Sequence, residues 1–115
     1  MKKIFILEDS EARIESFKKT YAGCDLTIAT MAQEAIDILS QGLDYDLISL
    51  DHDLGGEIYC RSELENSGYR VAKFLSDKKV NGAVVIHSWN SIGAGRMLDL
   101  LPNANYVPFG FKNDA

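Results

Sequence analysis

The stretch Leu47-Ile48-Ser49-Leu50-Asp51-His52-Asp53-Leu54-Gly55-Gly56 passes from an apolar run, typical of a buried β-strand, into a cluster of titratable side chains. Two other apolar runs end in the same way. Lys3-Ile4-Phe5-Ile6-Leu7 is followed by Glu8-Asp9-Ser10, and Ala83-Val84-Val85-Ile86 is followed by His87-Ser88-Trp89-Asn90. Because open α/β proteins bind ligands at the carboxyl ends of their strands, we predict that these three strand ends form one site.

Strands and helices alternate along the whole chain. The hydrophobic pattern predicts two further strands, at 26–29 and 105–109, and helices at 11–21, 32–41, 69–78 and 93–101. Ser10 is expected to cap the first helix, and Thr30-Met31-Ala32-Gln33 is expected to form a capping box for the second. The order of elements predicts a single domain over residues 1–115, a three-layer α/β/α sandwich around a parallel five-stranded sheet of order 2-1-3-4-5. Glu8 and Asp9 then lie beside Asp51.

The composition is that of a globular protein, since 46% of the 115 residues are hydrophobic and 25% are charged. A formal net charge of -5 argues against general nucleic-acid binding, which depends on neutralising phosphates. The chain has no apolar stretch of the roughly 20 residues needed to cross a bilayer, and its short first run ends on acids, unlike a signal peptide. We therefore expect a cytoplasmic protein without a membrane partner, in which Cys24 and Cys60 are reduced thiols.

Three carboxylates converge in the predicted site: Glu8, Asp9 and Asp51. Two carboxylates about 4 Å apart repel by roughly 4 kcal/mol at an effective dielectric constant near 20. A hard divalent cation, Mg²⁺ above all, relieves that repulsion through oxygen ligands. We therefore predict that Asp9 and Asp51, with Glu8, hold Mg²⁺, unless one of these acids caps a helix or faces solvent. Asp53 is expected to shape the loop around the site.

Three segments resemble the response-regulator receiver domain: Ile6-Leu7-Glu8-Asp9-Ser10, Leu50-Asp51 and Ser67-Gly68. The resemblance implies a receiver fold of the flavodoxin-like type, Mg²⁺ held by the acidic residues and phosphoryl transfer to Asp51. It also implies that Ser88 stands in the place of the receiver's switch residue. The sequence departs from receivers at Val107, where they carry a lysine before the proline, and at its two histidines.

More of the chain resembles a divergent branch of the receiver domains. Leu50-Asp51-His52-Asp53-Leu54-Gly55, Ile86-His87-Ser88-Trp89-Asn90 and Gly93-Ala94-Gly95-Arg96-Met97 are similar to the cyclic-phosphate-processing receiver-like family. This resemblance implies a phosphoesterase-like activity on cyclic phosphates. Receivers usually have a fifth helix where this sequence stops at Ala115, so we expect the outer edge of the sheet to be either truncated or covered by a partner protein.

The chain has two histidines, His52 and His87, and both follow strands that are predicted to be neighbours. Histidine acts as an acid or a base near neutral pH. One ring is therefore predicted to take a proton from water while the other protonates the leaving oxygen of a cyclic phosphodiester. The alternative for each is a buried structural histidine. The mechanism requires both imidazoles to open onto the pocket that the acids line.

The residues after the fourth strand are predicted to hold the phosphate. Ser88 and Asn90 are expected to orient phosphoryl oxygens. Gly93 lets backbone N–H groups approach an anion at the start of a helix, with Arg96 adding charge, although Gly93 could instead make only a turn. Three more side chains are candidates for contact with the substrate, with a purely structural role as the alternative: Trp89, Arg61 and Arg70.

The sequence therefore predicts a metal-assisted phosphoesterase with Asp51, His52 and His87 as catalytic residues. Its expected partner is a small phosphorylated substrate, such as a cyclic nucleotide, or a 2′,3′-cyclic RNA end. Two alternatives stay open: a signalling receiver that is phosphorylated on Asp51, and a non-catalytic module that binds a nucleotide or a partner protein.

Overall fold

The predicted alternation of strands and helices is confirmed by a computed structural model, which describes residues 1–56 and 65–110. The strands are β1 (Lys3–Leu7), β2 (Asp25–Ala29), β3 (Leu47–Leu50), β4 (Ala83–Ile86) and β5 (Asn105–Tyr106). The helices in the described ranges are α1 (Glu11–Thr20), α2 (Ala32–Leu39), α3 (Gly68–Leu75) and α4 (Ser91–Leu100). All paired strands are parallel and lie in the predicted order β2-β1-β3-β4-β5.

The centre of the sheet is buried on both faces, which explains why its strands are continuous apolar runs. No residue from Ile4 to Leu7 is more than 2% exposed. Side chains alternate between the two faces of a strand. Phe5 and Leu7 join the main core under α2, α3 and α4, whereas α1 lies on the opposite face. This packing fixes the register of β1, and so the positions of the acids that follow it.

One of the two predicted helix caps is confirmed and the other is wrong. Ser10 caps α1, where its Oγ accepts a hydrogen bond at 3.4 Å from the backbone N–H three residues later. The capping box predicted over Thr30–Gln33 does not form, and Met31 is the N-cap of α2 without a side-chain hydrogen bond. Instead, Asn66 Oδ1 accepts the backbone N–H of Ala32 at 2.9 Å from 34 residues away. A distant loop therefore supplies one acceptor at this helix start, and Glu34 Oε1, one residue beyond the predicted box, accepts the Thr30 N–H at 2.8 Å.

Helix ends differ from the predictions by a few residues. α3 ends at Leu75 rather than at 78, and α4 begins at Ser91 because Asn90 is its N-cap. The short β5 lies at the edge of the sheet, as expected. Cys24 is a free thiol, whereas Cys60 lies outside the described residues. In the described part of the chain, no helix has the length and apolar character that crossing a membrane requires.

Candidate functional site

A cavity of about 480 Å³ opens where the strand order reverses, at the carboxyl ends of β1, β3 and β4. Four acids of the described ranges line it: Glu8, Asp9, Asp51 and Asp53. The other described residues that line it are Ser10, Arg13, Gly56, Ser88, Trp89 and Asn90. The three strand ends therefore meet at one cavity, as their sequences predicted.

Glu8 and Asp51 are buried in the wall of this cavity, with only 1% and 4% of their surfaces exposed. Burial, together with the charge of Glu8, raises the pKa of Asp51 to about 8. The backbone N–H of His52 donates to Asp51 Oδ1 at 2.8 Å and offsets this rise only in part. Without a cation, Asp51 therefore holds a proton at neutral pH.

Glu8 is the ionised partner of this pair. Burial alone would raise the pKa of Glu8, but the hydrogen bond with His87 and the backbone N–H of Ser10 lower it below its usual value. Glu8 Oε2 accepts the backbone N–H groups of Asp9 and Ser10, each at 3.1 Å. The guanidinium of Arg13 lies 3.7 Å from Glu8 Oε1. These contacts stabilise one negative charge at Glu8.

His87 reaches Glu8 from the other side, because it lines a second cavity of about 430 Å³ beside α1. Its Nε2 lies 3.0 Å from Glu8 Oε1, and its Nδ1 lies 2.7 Å from Ser49 Oγ. Burial lowers the pKa of His87, so the ring is neutral at neutral pH. We assign the tautomer in which Nε2–H donates to Glu8 and Nδ1 accepts the Ser49 hydroxyl, since it satisfies both contacts.

A divalent cation fits between these side chains. Glu8, Asp51 and His87 each offer one ligand atom, and these three atoms lie within 4.8 Å of one another. The predicted ligand Asp9 also lines the cavity, where its Oδ2 accepts the Gly56 N–H at 2.8 Å. Carboxylate oxygens suit Mg²⁺, whereas His87 in the assigned tautomer donates its Nε2–H to Glu8 and leaves the cation to the carboxylates. A cation would take over the role of the Asp51 proton in balancing the buried charges.

His52 does not line the cavity, and the expectation that both imidazoles open onto the acids is wrong. The residue is completely buried, and its Nδ1 lies 2.9 Å from Asp53 Oδ1 and 3.4 Å from Asn90 Nδ2. The ring packs against the start of α4, where a Cβ added to Gly93 would lie 2.6 to 2.7 Å from three ring atoms. His52 thus joins the end of β3 to α4 instead of facing a substrate.

The predicted phosphate-binding residues fall into two groups. Ser88 and Asn90 line the cavity, whereas Gly93 is buried and Arg96 is exposed, and neither of these two is among the described lining residues. The Gly93 N–H donates to Asn90 Oδ1 at 3.0 Å, because Asn90 caps α4. That N–H is therefore used within the helix start, and the expected backbone cradle is wrong at Gly93. Of the other arginine candidates, Arg70 lies away from the cavity, where it contacts Gln33. Arg61 lies outside the described residues.

Arg13 is a residue of this site that the sequence interpretation missed. It lines the cavity, and its guanidinium lies 4.5 Å from the centroid of the Trp89 ring, close to Glu8. Side chains in a helix point back toward its N-terminus, so an arginine three residues after the Ser10 cap extends over the end of β1. Its position relative to the cap was the signal that could have identified it.

The close approach of α4 to His52 leads to a prediction about its two glycines. Gly93→Ala is expected to destabilise the protein by about 2–3 kcal/mol, because the new methyl group overlaps a buried ring. Gly95→Ala is the matched control in the same helix, where a Cβ meets open space. It is expected to stabilise by up to about 1 kcal/mol, since alanine favours helix over glycine. Urea unfolding measures both, and equal stability of the two variants would rule out the tight contact with His52.

Comparisons with known proteins agree with this geometry. Residues 4–103 match the model of a family described as the cyclic-phosphate processing receiver domain. No curated protein sequence matches the chain significantly. The family match extends over all four helices and the first four strands of the described structure.

Solved response-regulator structures share the fold. The response regulator TrrA from Thermotoga maritima, solved with Mg²⁺ and BeF, superimposes with a TM-score of 0.73 at 23% identity, over 99% of this chain and 91% of that one. The receiver domain of the Francisella response regulator 1452 gives a TM-score of 0.68 at 20% identity, over 97% and 87% of the two chains. TrrA has also been solved in complex with the histidine kinase ThkA. That structure superimposes with a TM-score of 0.67 at 23% identity, over 99% of this chain and 90% of that one. At these identities the likeness shows a receiver fold.

Proposed function

Because the chain belongs to the cyclic-phosphate processing receiver domain family, we propose that its acid-lined cavity hydrolyses cyclic phosphate esters with a divalent cation, Mg²⁺, bound. The observation that carries this proposal is the buried pair of Glu8 and Asp51, whose combined charge requires either a proton or a cation. A phosphate ester is itself an anion, so the cation also makes its approach to these carboxylates favourable.

The residues that line the cavity have different roles in the proposed hydrolysis. Glu8, Asp9 and Asp51 hold the cation, which when bound stabilises charge on the phosphoryl oxygens. The attacking water loses a proton as its oxygen bonds to phosphorus. The bond from phosphorus to one ester oxygen breaks and that oxygen gains a proton, so the products are a phosphate monoester and a free hydroxyl. Ser88 and Asn90 orient the phosphoryl oxygens.

The two histidines have different roles in this scheme, and neither exchanges a proton with the substrate directly. His87, with the Ser49 hydroxyl behind it, orients Glu8 and keeps that carboxylate ionised. His52 is a positioning residue, because it contacts Asp53 and Asn90, which both line the cavity. This revises the paired-histidine mechanism that the sequence predicted.

The expected substrates are cyclic nucleotides or 2′,3′-cyclic RNA ends. A cavity of about 480 Å³ is within the size range of sites that bind small molecules. The formal net charge of -5 does not favour extended contacts with nucleic-acid backbones. A cytoplasmic location remains a prediction from the sequence.

Hydrolysis of adenosine 2′,3′-cyclic phosphate tests the proposal. We expect turnover with Mg²⁺ and none with EDTA. Glu8→Gln removes one buried charge from the site and is expected to lower the rate by about 100-fold, the scale of one lost electrostatic contact in an active site. Glu11→Gln, at an exposed position of α1 outside the cavity, is the matched control and should keep the wild-type rate. Turnover that survives EDTA and Glu8→Gln would refute the proposal, and binding without turnover would favour a non-catalytic module.

The fold favours a second function, phosphoryl acceptance by Asp51. The solved structures compared above are response regulators, and Asp51 follows β3 directly into the cavity. In this reaction an Asp51 oxygen bonds to phosphorus, and the bond from phosphorus to the donor's leaving oxygen breaks. Val107 stands where receivers carry a lysine, so Arg13 is the described cation in the cavity that would meet the phosphoryl charge.

Incubation with acetyl phosphate and Mg²⁺ distinguishes the two functions. Acetate leaves in this reaction, and phosphorylation adds the mass of one phosphoryl group, which intact mass spectrometry detects. A stable adduct on the wild type that is absent from Asp51→Asn, in a protein that does not hydrolyse cyclic phosphates, would favour the signalling function. Cyclic-phosphate turnover without any adduct would favour hydrolysis.

A further inference from the structure

The only tryptophan of the chain stands at the rim of the acid-lined cavity. Trp89 is 58% exposed, although its neighbours in the chain, Ser88 and Asn90, are buried. The backbone on both sides of the indole is therefore fixed in the wall of the cavity. Because this backbone is anchored, the exposed indole stays at one position, where a ligand in the cavity can contact it.

Two contacts hold the indole ring in one orientation. Its Nε1–H donates to the backbone oxygen of Phe109 at 2.8 Å, and the guanidinium of Arg13 lies over the ring, 4.5 Å from its centroid. The same guanidinium lies 5.1 Å from the centroid of the Phe109 ring, so it is held by both aromatic side chains. Arg13 covers one face of the indole and Phe109 binds one edge. Trp89 is nevertheless 58% exposed and lines the cavity, so part of its ring is open to a ligand there.

From the rim inward, the side chains that line the cavity change from aromatic to cationic and then to anionic. The exposed part of Trp89 lies at the rim, the guanidinium of Arg13 lies 4.5 Å from the centroid of its ring, and Glu8 lies 3.7 Å from that guanidinium. Asp51 and the candidate cation site are next to Glu8. A ligand that matches this order has a flat π system at one end and an anionic phosphate at the other. A nucleotide has this arrangement, whereas a purely apolar partner would leave the charged part of the wall unmatched.

We propose that the exposed part of the Trp89 ring stacks on the nucleobase of a cyclic nucleotide whose phosphate lies at the carboxylate cluster. This inference rests on the proposed function and names its substrate class. Trp89 then selects nucleoside cyclic phosphates over cyclic phosphates that lack a base. Arg13 fixes the ring and places positive charge beside the phosphate. Because every base has a π face, stacking discriminates little between purines and pyrimidines.

Binding measured by calorimetry with Mg²⁺ present tests this inference on the whole chain. The two probes are adenosine 2′,3′-cyclic phosphate and glycerol 1,2-cyclic phosphate, which has the same cyclic ester and no base. Loss of one base stack is expected to weaken binding of the adenosine compound to Trp89→Ala by about 5- to 100-fold. Binding of the glycerol compound should not change. Quenching of the Trp89 fluorescence of the wild type by the adenosine compound alone is the expected direct signal.

Two further variants keep the test specific. Trp89→Phe retains an aromatic face and should restore most of the affinity for the adenosine compound. Ile92→Ala removes another exposed apolar side chain, one that is 74% exposed and outside the lining of the cavity, and should leave both affinities unchanged.

The possible outcomes separate this inference from the proposed function. If Trp89→Ala weakens both ligands equally, or neither, while the wild type still hydrolyses them, Trp89 does not select the base and the inference fails alone. If Ile92→Ala has the same effect as Trp89→Ala, the loss comes from the general surface, and the inference fails again. If the wild type neither binds nor hydrolyses either compound, the proposed function fails and the inference fails with it.

Discussion

Replacing Asp51 by asparagine is expected to remove most of the pH dependence of stability above pH 5, together with the stabilisation by Mg²⁺. The pKa of Asp51 is raised from 3.8 to about 8 in the folded protein, mainly by burial and then by the charge of Glu8. The folded state therefore binds this proton more tightly than the unfolded chain does. Its contribution to stability is complete below the unfolded pKa and is lost as the pH rises through 8.

The size of this effect makes it measurable. Through Asp51 alone, we expect the free energy of unfolding of the wild type to fall by about 4 kcal/mol between pH 5 and pH 8 in EDTA. Asp51→Asn has no proton to lose and should keep that stability. At pH 8, Mg²⁺ at 100 times its dissociation constant should restore about 2.7 kcal/mol to the wild type and nothing to the variant. At pH 5 the Asp51 proton competes with the cation, so Mg²⁺ should raise the free energy of unfolding of the wild type by less than at pH 8.

Urea unfolding at several pH values, with EDTA or with Mg²⁺, measures both effects. Asp99→Asn is the matched control, because Asp99 is exposed on α4 and outside the cavity. It should follow the wild-type pH profile. If Asp51→Asn follows that profile as well, the Asp51 proton does not govern stability, and the charge argument for a cation in the cavity is lost.

Gly68→Ala is expected to be among the most destabilising single substitutions in the described part of the chain, at about 3 kcal/mol or more. A Cβ at Gly68 would lie 1.7 Å from the backbone oxygen of Asp51 and 2.8 Å from the Cα of His52. The backbone N–H of Gly68 also donates to the His52 oxygen at 2.8 Å. Relief of the overlap would require the start of α3 to move away from the loop that carries Asp51, because both partners are backbone.

Gly42→Ala is the control for this prediction. Gly42 follows α2 in open space, where a Cβ meets nothing within 4 Å. Alanine there should change stability by less than about 1 kcal/mol, in the stabilising direction, by restricting the unfolded chain. Thermal unfolding compares the two variants. If Gly68→Ala is as stable as Gly42→Ala, the contact between α3 and the Asp51 loop is looser than the structure shows.

Elements whose identity depends on local pattern were predicted well. The apolar runs ending at Leu7, Leu50 and Ile86 form buried strands, because a parallel sheet covered by helices requires apolar side chains on both faces. The sheet order then followed from general rules of chain connection. Since parallel strands end at one edge of the sheet, convergence of the three polar segments followed from the same reasoning. The capping box of α2 was wrong: Glu34 instead of Gln33 accepts the Thr30 N–H, and Asn66, far away in the chain, accepts the Ala32 N–H.

The order of residue types along the chain was enough to predict the receiver fold and the cluster of Glu8 and Asp51, since both depend on which residue types end which strands. The positions of the two imidazoles depend on long-range packing and could not be predicted in this way. His87 packs on the α1 side with Ser49, and His52 is enclosed because Gly93 lets α4 contact its ring. The same packing placed Arg13 against Trp89. The direction of a side chain beyond a strand end is set by what packs against it, and those neighbours are distant in the chain.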